Sequence, residues 1–480
     1  MIALAGRRAR TRALLAAVLC ALASLLPRAA HAHTKLLRSE PAKGARLDVA
    51  PRALRLAFNE RVELAVSRLV LTGPGGEQVA LSPLRSPGDS ATVIVADIAG
   101  PLEAGHYSVA WQVAGRDGHP VRGTLDFDIA PGALGLALLP AVAETAAAAP
   151  PDSSRAAAAA ALPPAERAAS AGGRFDAESP VYAAVRWLGF IALLALVGCA
   201  VFALAIMPRA AGAIPGAALI ERRAAGAAGV AAAALLVVAV ARLFAQAVAL
   251  HGGAEALSPA LLASMLTGTL WGAGWLAQTG AAVVALVAAR AARRDSATGW
   301  GVLAIAVVGA AAGTAFSGHA AAEARTAPLL VAADTLHILG AGGWIGTLLV
   351  LFTVGVPAAM RLDGGVRGAA VARMVNAFSP VALACAGLVL ATGVIAATAH
   401  LGSWSALRHS RYGTVLLVKL AALALVAVLG AVNWRIVRPS LGGDAGAHRL
   451  RRTAGAELLL GAVVLAITAV LVATPLPTSG

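Results

Sequence analysis

Two hydrophobic patterns divide the chain. Between residue 33 and about residue 130, apolar residues come in short alternating runs such as "ALRLAF", "SRLVLTG", "TVIVADI", "HYSVAWQVAG" and "GTLDFDI". The turn signals "GPGG", "SPGD" and "LEAGH" separate them. Alternation with period two places successive side chains on opposite faces of a strand, so many short strands with regular turns predict an all-β sandwich or barrel. From about residue 180 the apolar runs lengthen. Eight spans are expected, near 181–207, 224–249, 269–290, 299–318, 328–356, 378–399, 413–434 and 455–475. Each approaches the ~20 residues that a bilayer's hydrocarbon core requires. The expected fold class is an N-terminal all-β domain followed by a C-terminal all-α polytopic membrane bundle.

Two segments fit neither pattern. Residues 131–178 contain "AETAAAAPPDSSRAAAAAALPPAERAASAGG", rich in Ala, Pro, Ser and Gly without a repeating apolar face, and read as a mobile linker. At the N-terminus, "MIALAGRRARTR" is basic and "ALLAAVLCALASLL" is apolar but short; the tripeptide A-H-A follows at 30–32. That order is the signature of a secretory signal peptide. The expected organisation is therefore 1–32 signal peptide, 33–130 β domain, 131–178 linker and 179–480 transmembrane domain.

Composition agrees with a membrane protein. Of 480 residues, 59% are hydrophobic, and the mean hydropathy of +0.77 is far too high for a soluble chain. A formal charge of +15 would suggest nucleic acid in a soluble protein. Here the arginines concentrate in the signal peptide and in the loops after spans one, three, five and seven. By the positive-inside rule those loops are cytoplasmic, which puts the β domain and the C-terminus on the opposite side. No nucleic-acid partner is expected. Spans one and five, and three and seven, resemble one another, which fits a four-plus-four parallel duplication. The three cysteines, Cys20, Cys199 and Cys385, lie in the signal peptide and in apolar helices and form no disulfide framework.

Cleavage after Ala32 would leave His33 as the first residue. A terminal histidine offers its α-amine and a ring nitrogen to one ion, and imidazole suits copper, nickel and zinc. A second candidate is "VAGRDGHPVRG", where Asp117 and His119 are two apart and share a face in an extended segment. A lone D-x-H is most often a solvated turn. Together with His33, however, it makes a set of three nitrogens and one oxygen, better suited to tetragonal Cu(II) than to tetrahedral zinc. The β domain has no methionine, so a thioether Cu(I) site is absent from it. His106 reads as a turn or surface residue.

In the membrane part, His251, His319, His337, His400 and His409 map to one end of the bundle or its adjoining loops. Asp334 precedes His337 by one helical turn and shares its face. Ionisable groups near a membrane core are costly and mark functional sites. His319, Asp334 and His337 are therefore the expected membrane metal path, with His251, His400 and His409 as further candidates. Lys419 and Arg242 are costly charges that pair, line a wet path or snorkel.

"HAHTKLLRSEPAKGARL", "LRLAFNERVE" and "GRDGHPVRGTLDFDI" resemble the CopC periplasmic copper-binding family. "SGHA", "DTLHILGAGGWIGTL", "RYGTVLLVKLAALALVAVLGAVNW" and "RRTAGAELLLGAVVLAITAVLVATPLP" resemble the CopD membrane family. The resemblance implies a Greek-key β-barrel that binds Cu(II) through the mature N-terminal histidine, here His33, with Asp117 and His119. It also implies a membrane domain engaged in copper uptake or resistance. This chain lacks the methionine-rich segment of two-site CopC proteins and has "FNERVE" where the family shows "FSEPVE"; Glu60 reads as structural or as a support behind the ligands.

The expected function is non-enzymatic copper homeostasis at the bacterial inner membrane. A periplasmic β domain would capture Cu(II) and deliver it to or through the membrane domain, with copper, lipid and periplasmic copper carriers as partners. Two rivals stand beside it: sequestration with the membrane domain as anchor or sensor, and a b-type cytochrome with haem between membrane histidines. Histidines gathered at one rim argue against the latter.

Overall fold

The computed structural model describes residues 34–88, 91–116, 118–134, 175–253, 255–294, 296–318, 320, 327–437, 444–474 and 476–477. The signal peptide, residues 135–174 of the linker, and the expected site residues His33, Asp117 and His319 lie outside the described residues.

The β domain contains eight strands: β1 (Leu36–Glu40), β2 (Ala45–Val49), β3 (Ala53–Phe58), β4 (Arg68–Thr72), β5 (Gln78–Val79), β6 (Val93–Asp97), β7 (Gly105–Ala114) and β8 (Pro120–Leu134). They form two sheets, ordered β1-β3-β6 and β2-β8-β7-β4-β5. All pairs are antiparallel except β2 with β8. Inward residues of both sheets close on one core. Leu54, Leu56 and Phe58 from β3 and Ile94 from β6 meet Val109 and Trp111 from β7 and Leu125 and Phe127 from β8. Alternation is strict where it matters. In β7, Tyr107, Val109, Trp111 and Val113 are buried, while their neighbours His106, Ser108, Ala110 and Gln112 are not. The result is the expected β sandwich.

Among the described residues, eight helices are long and apolar enough to cross a membrane: α1 (Pro180–Ala210), α2 (Ala217–His251), α4 (Leu270–Ala292), α5 (Ala297–Phe316), α6 (Ala327–Ala359), α7 (Val366–Leu401), α8 (Arg411–Ile436) and α9 (Thr453–Leu471). A short apolar helix, α3 (Pro259–Gly268), precedes α4. Their number and order match the eight expected spans. Helix starts carry conventional caps: Ser179, Thr269, Ser296 and Ser410 accept the backbone N–H three residues on.

The core of the bundle is built on small residues. A methyl group added to Gly198 of α1 would lie 2.1 Å from the Gly346 carbonyl carbon of α6, and one on Gly346 would lie 1.8 Å from Leu194 O. Backbones touch at this crossing, as small-residue membrane interfaces allow. Single π-helical turns interrupt α1 at Phe202–Ile206 and α6 at Gly342–Gly346 and Leu351–Gly355.

Candidate metal centre and the cavity beneath it

Local bonds tie Thr34 and Lys35 to the segment that follows β3. Thr34 is buried, and its hydroxyl donates to Glu60 Oε1 at 2.6 Å. The next backbone amide, Lys35 N–H, donates to Asn59 Oδ1 at 2.6 Å. Both acceptors follow the end of β3. Two residues beyond Glu60, Val62 bridges Gly115, and Glu63 N–H donates to Ala114 O. The chain after His33 is thus tied to a segment paired with the D-x-H loop. Glu60 accepts a hydrogen bond from Thr34, the residue after His33 in sequence.

The loop itself is a tight turn between β7 and β8. Gly118 N–H donates to Gly115 O at 2.9 Å, and Gly118 has φ +77°, a left-handed conformation that a side chain would strain. Pro120 opens β8, where no donor is lost at a strand start. His119 is half-buried. His106, by contrast, is exposed and pairs with Asp128 at 2.9 Å, the surface role expected of it.

This loop is docked on the membrane bundle. Gln246 of α2 donates its side-chain amide to Gly118 O at 2.7 Å and accepts the Tyr182 hydroxyl of α1 at 2.5 Å. A methyl group on Gly118 would meet the Trp271 ring of α4 at 3.0 Å. Arg122 of β8 donates to Ala249 O at 2.6 Å, and Gln112 of β7 donates to Leu250 O. These are carbonyls of the last turn of α2, which lack partners within the helix. Arg68 pairs with Glu255 at 3.1 Å. Glu63 accepts the Leu270 N–H at the start of α4, where the helix dipole favours an anion. Burial pushes the Glu63 carboxyl above the usual carboxylate range, against the pull of the Leu270 N–H and of Arg116 and Arg61.

Beneath the loop lies a cavity of about 700 Å³ between the membrane helices, and His119 lines it together with residues of α1, α2, α6, α7 and α8. Among the described residues, Arg186, Arg242, Lys419 and Asp334 bring charge to its lining. Arg186 sits 3.8 Å over the Tyr182 ring and donates to Ala177 O at 2.6 Å. Arg242 stacks 5.2 Å from the Trp271 ring and donates to Gln278 Oε1 at 3.1 Å. Asp334 and Lys419, of opposite charge, line the same cavity. The costly charges noted in the sequence therefore line a cavity rather than reaching for the interface.

His337 and His400 line the same cavity. α6 begins at Ala327, ten residues before His337, so at 1.5 Å per residue His337 lies about 15 Å along this 33-residue helix, in the third nearest the β domain. Its Nδ1 is 3.0 Å from Thr392 Oγ1, and Thr392 gives its own proton to Leu388 O at 2.7 Å. Nδ1–H is therefore the donor, and Nε2 is the nitrogen left for a ligand. His400 is at the end of α7, its Nδ1 3.3 Å from the Tyr412 hydroxyl. His251 ends α2 beside the docking contacts, and His409 is exposed. Among the described residues, no three His, Cys, Asp or Glu side chains gather as a metal cluster. Gln246, Tyr182, Gln112 and Arg122 were not singled out from sequence. Arg186, a charge within an apolar span, carried the one signal that could have been read.

Comparison with known proteins follows the same division. The CopC domain profile matches residues 36–130, that of the copper resistance protein D-like N-terminal domain 176–327, and that of copper resistance protein D 372–471. Copper transport protein CutJ of Bacillus subtilis (strain 168) is 26% identical over 465 residues, covering 94% of this chain and 76% of CutJ. Copper resistance protein C of Pseudomonas syringae pv. tomato is 35% identical over 105 residues, 21% of this chain and 82% of that protein. The crystal structure of CopC from Methylosinus trichosporium OB3b aligns at 26% identity over 21% of this chain and 95% of that one, with a TM-score of 0.20. With a CopC-type sandwich seated on eight CopD-type membrane helices, the chain belongs to the copper transport and resistance family as a CopC–CopD fusion.

Proposed function

We propose that the β domain captures Cu(II) on the periplasmic side of the inner membrane through His33, Asp117 and His119, and hands copper to the membrane half from a docked position. The observation that carries this reading is that His119 lines the membrane cavity while the neighbouring Gly118 carbonyl is bonded to Gln246. The ligand loop already rests on the bundle, so hand-over needs no long excursion of the domain. Thr34, the residue after His33 in sequence, is bonded to Glu60, two residues before Val62, which bridges Gly115. The amine and ring of His33 with His119 and the Asp117 carboxylate make a donor set suited to Cu(II).

The test uses the full chain in detergent. Mass spectrometry should find the mature chain starting at His33, and Cu(II) titration followed by EPR should give a tetragonal signal at one ion per chain. That signal should vanish in both His33→Ala and His119→Ala. A different N-terminus, or a signal indifferent to both changes, defeats the assignment. Copper accumulation in cells carrying the wild type but not His119→Ala supports delivery; tight binding without accumulation would make the protein a sequestering one.

A further inference from the structure

Among the described residues, the cavity lining sets the cations Arg186, Arg242 and Lys419 against the acid Asp334, a formal net charge of +2 (three cations minus one acid). The four lie in one belt. Arg186 is six residues into α1, Asp334 seven into α6, Lys419 eight into α8, and Arg242 nine before the end of α2. At 1.5 Å per residue they sit about 9 to 14 Å from the helix ends nearest the β domain. Charge is costly among apolar helices unless an opposite charge offsets it, and attraction between unlike charges is strong in such a medium. A free copper cation entering this belt would meet like charge. An anion would be drawn in.

The two arginines come from facing helices. The Tyr182 hydroxyl of α1 donates to Gln246 of α2 at 2.5 Å. Arg186 follows Tyr182 by four residues and Arg242 precedes Gln246 by four, so both stand one helical turn below that bond, on the faces that meet there. Neutral groups hold each of them. Arg186 stacks on the Tyr182 ring and donates to Ala177 O. Arg242 lies 5.2 Å from the Trp271 ring and donates to Gln278 Oε1 and, at 3.4 Å, to Ser317 O. A guanidinium carries five N–H donors, so these bonds orient both groups and leave donors over. The acids just before α1, Asp176 and Glu178, are exposed and lie outside the lining, and Glu178 pairs with Arg411 at 2.7 Å. Carboxylate and phosphate oxygens are the acceptors that match a guanidinium fork.

The rest of the lining is compatible with a polar ligand. Gln246 and Gln278 add amides and Ser317 a hydroxyl, and the cavity reaches the docked loop at Gly118 and His119. Its volume of about 700 Å³ is that of a small-molecule site.

We infer that this cavity binds an oxyanion, a phosphate or carboxylate group held between Arg186 and Arg242, with Lys419 adding charge from α8. The anion supplies the negative charge that the lining lacks at this depth. Its source is a free anion or the headgroup of an anionic lipid, and the chemistry that recognises it is the same. This inference is independent of the copper site in the β domain.

The test uses the full chain purified in a non-ionic detergent. One arm measures inorganic phosphate by equilibrium dialysis with a radioactive label. The other measures phosphatidylglycerol by native mass spectrometry, with phosphatidylcholine as the net-neutral control. The expected result is one phosphate or one phosphatidylglycerol per chain, with phosphatidylcholine bound more weakly. Phosphate binding identifies a free anion as a ligand; phosphatidylglycerol binding without it identifies a lipid headgroup. In the arm that binds, Arg242→Gln and Lys419→Gln should each weaken affinity about 10-fold or more, as loss of a charged partner implies. Lys419→Gln reads the charge without touching the hydrogen bonds of either arginine. Asp334→Asn removes the opposing acid and should tighten binding several-fold, a gain that damage to the fold would not produce. Arg209→Gln, exposed at the far end of α1, should leave binding as it is. All four variants should elute from size exclusion as the wild type does. Binding of neither probe, equal binding of the two lipids without phosphate binding, or affinity unchanged in both Arg242→Gln and Lys419→Gln overturns the inference.

Discussion

The amide of Gln246, within a membrane helix, donates to the carbonyl of Gly118, between the candidate copper ligands Asp117 and His119, across 2.7 Å. The same amide oxygen takes the Tyr182 hydroxyl proton at 2.5 Å. Gln246→Leu would strand both buried partners, a cost of about 1–3 kcal/mol each before relaxation. The variant should show faster hydrogen exchange in residues 115–119 of the full chain. Unchanged protection there would mean that the membrane half does not hold the loop.

Glu63 gives the docked fold a pH dependence. Its carboxyl is raised above 4.5 in the folded chain, chiefly by burial. The folded form therefore binds the proton more tightly than the unfolded form. This group's contribution is full below pH 4.5 and is lost as pH rises through the raised value. Glu63→Gln keeps an acceptor for Leu270 N–H and removes the titration. Thermal melting of the full chain between pH 4 and 7 should show a flatter slope in the variant, with the variant the more stable at pH 7. Parallel curves would contradict this.

The Thr34–Glu60 bond should show itself as copper affinity. A hydrogen bond to a charged acceptor contributes about 1.5–3 kcal/mol. Thr34→Val frees the residue that follows His33, and Cu(II) affinity should fall about 10- to 100-fold, at RT near 0.59 kcal/mol, with the sandwich still folded. Competition with a chelator of known affinity measures it. An unaltered dissociation constant would show that the N-terminus is placed by something else.

Gly346→Ala should disrupt the bundle, since its new methyl group would lie 1.8 Å from Leu194 O and the obstacle is backbone. Overpacking of this kind costs about 1–3 kcal/mol or more. Lower yield and earlier thermal aggregation in detergent are expected. Gly280→Ala on α4 is the control, because a methyl group there has no neighbour within 4 Å. Equal behaviour of the two variants would argue against a backbone contact between α1 and α6.

What the sequence made legible was what short-range pattern encodes. The eight spans follow from ~20-residue apolar runs, and the strands from alternation such as that of β7. Gly118 and Pro120 announced the turn that carries His119. Alternation says nothing about partners, so the parallel pairing of β2 with β8 was not readable. Nor was the docking, in which Gln246 and Gly118 are 128 residues apart. Gln246 and Tyr182 look ordinary in sequence because their roles exist only across two units.

The contacts of Arg122 and Gln112 are made to the main-chain oxygens of Ala249 and Leu250. A main-chain oxygen is present whatever the residue. The hydrogen bonds therefore place no demand on the side chains at 249 and 250, and selection for the bonds themselves falls on one side of the seam only. Among related chains, the contact should restrict substitution at 112 and 122, while at 249 and 250 only the packing of the buried side chains does so, with little covariation between the pairs. The seam would then leave a faint trace in sequence comparisons, although it joins the two halves.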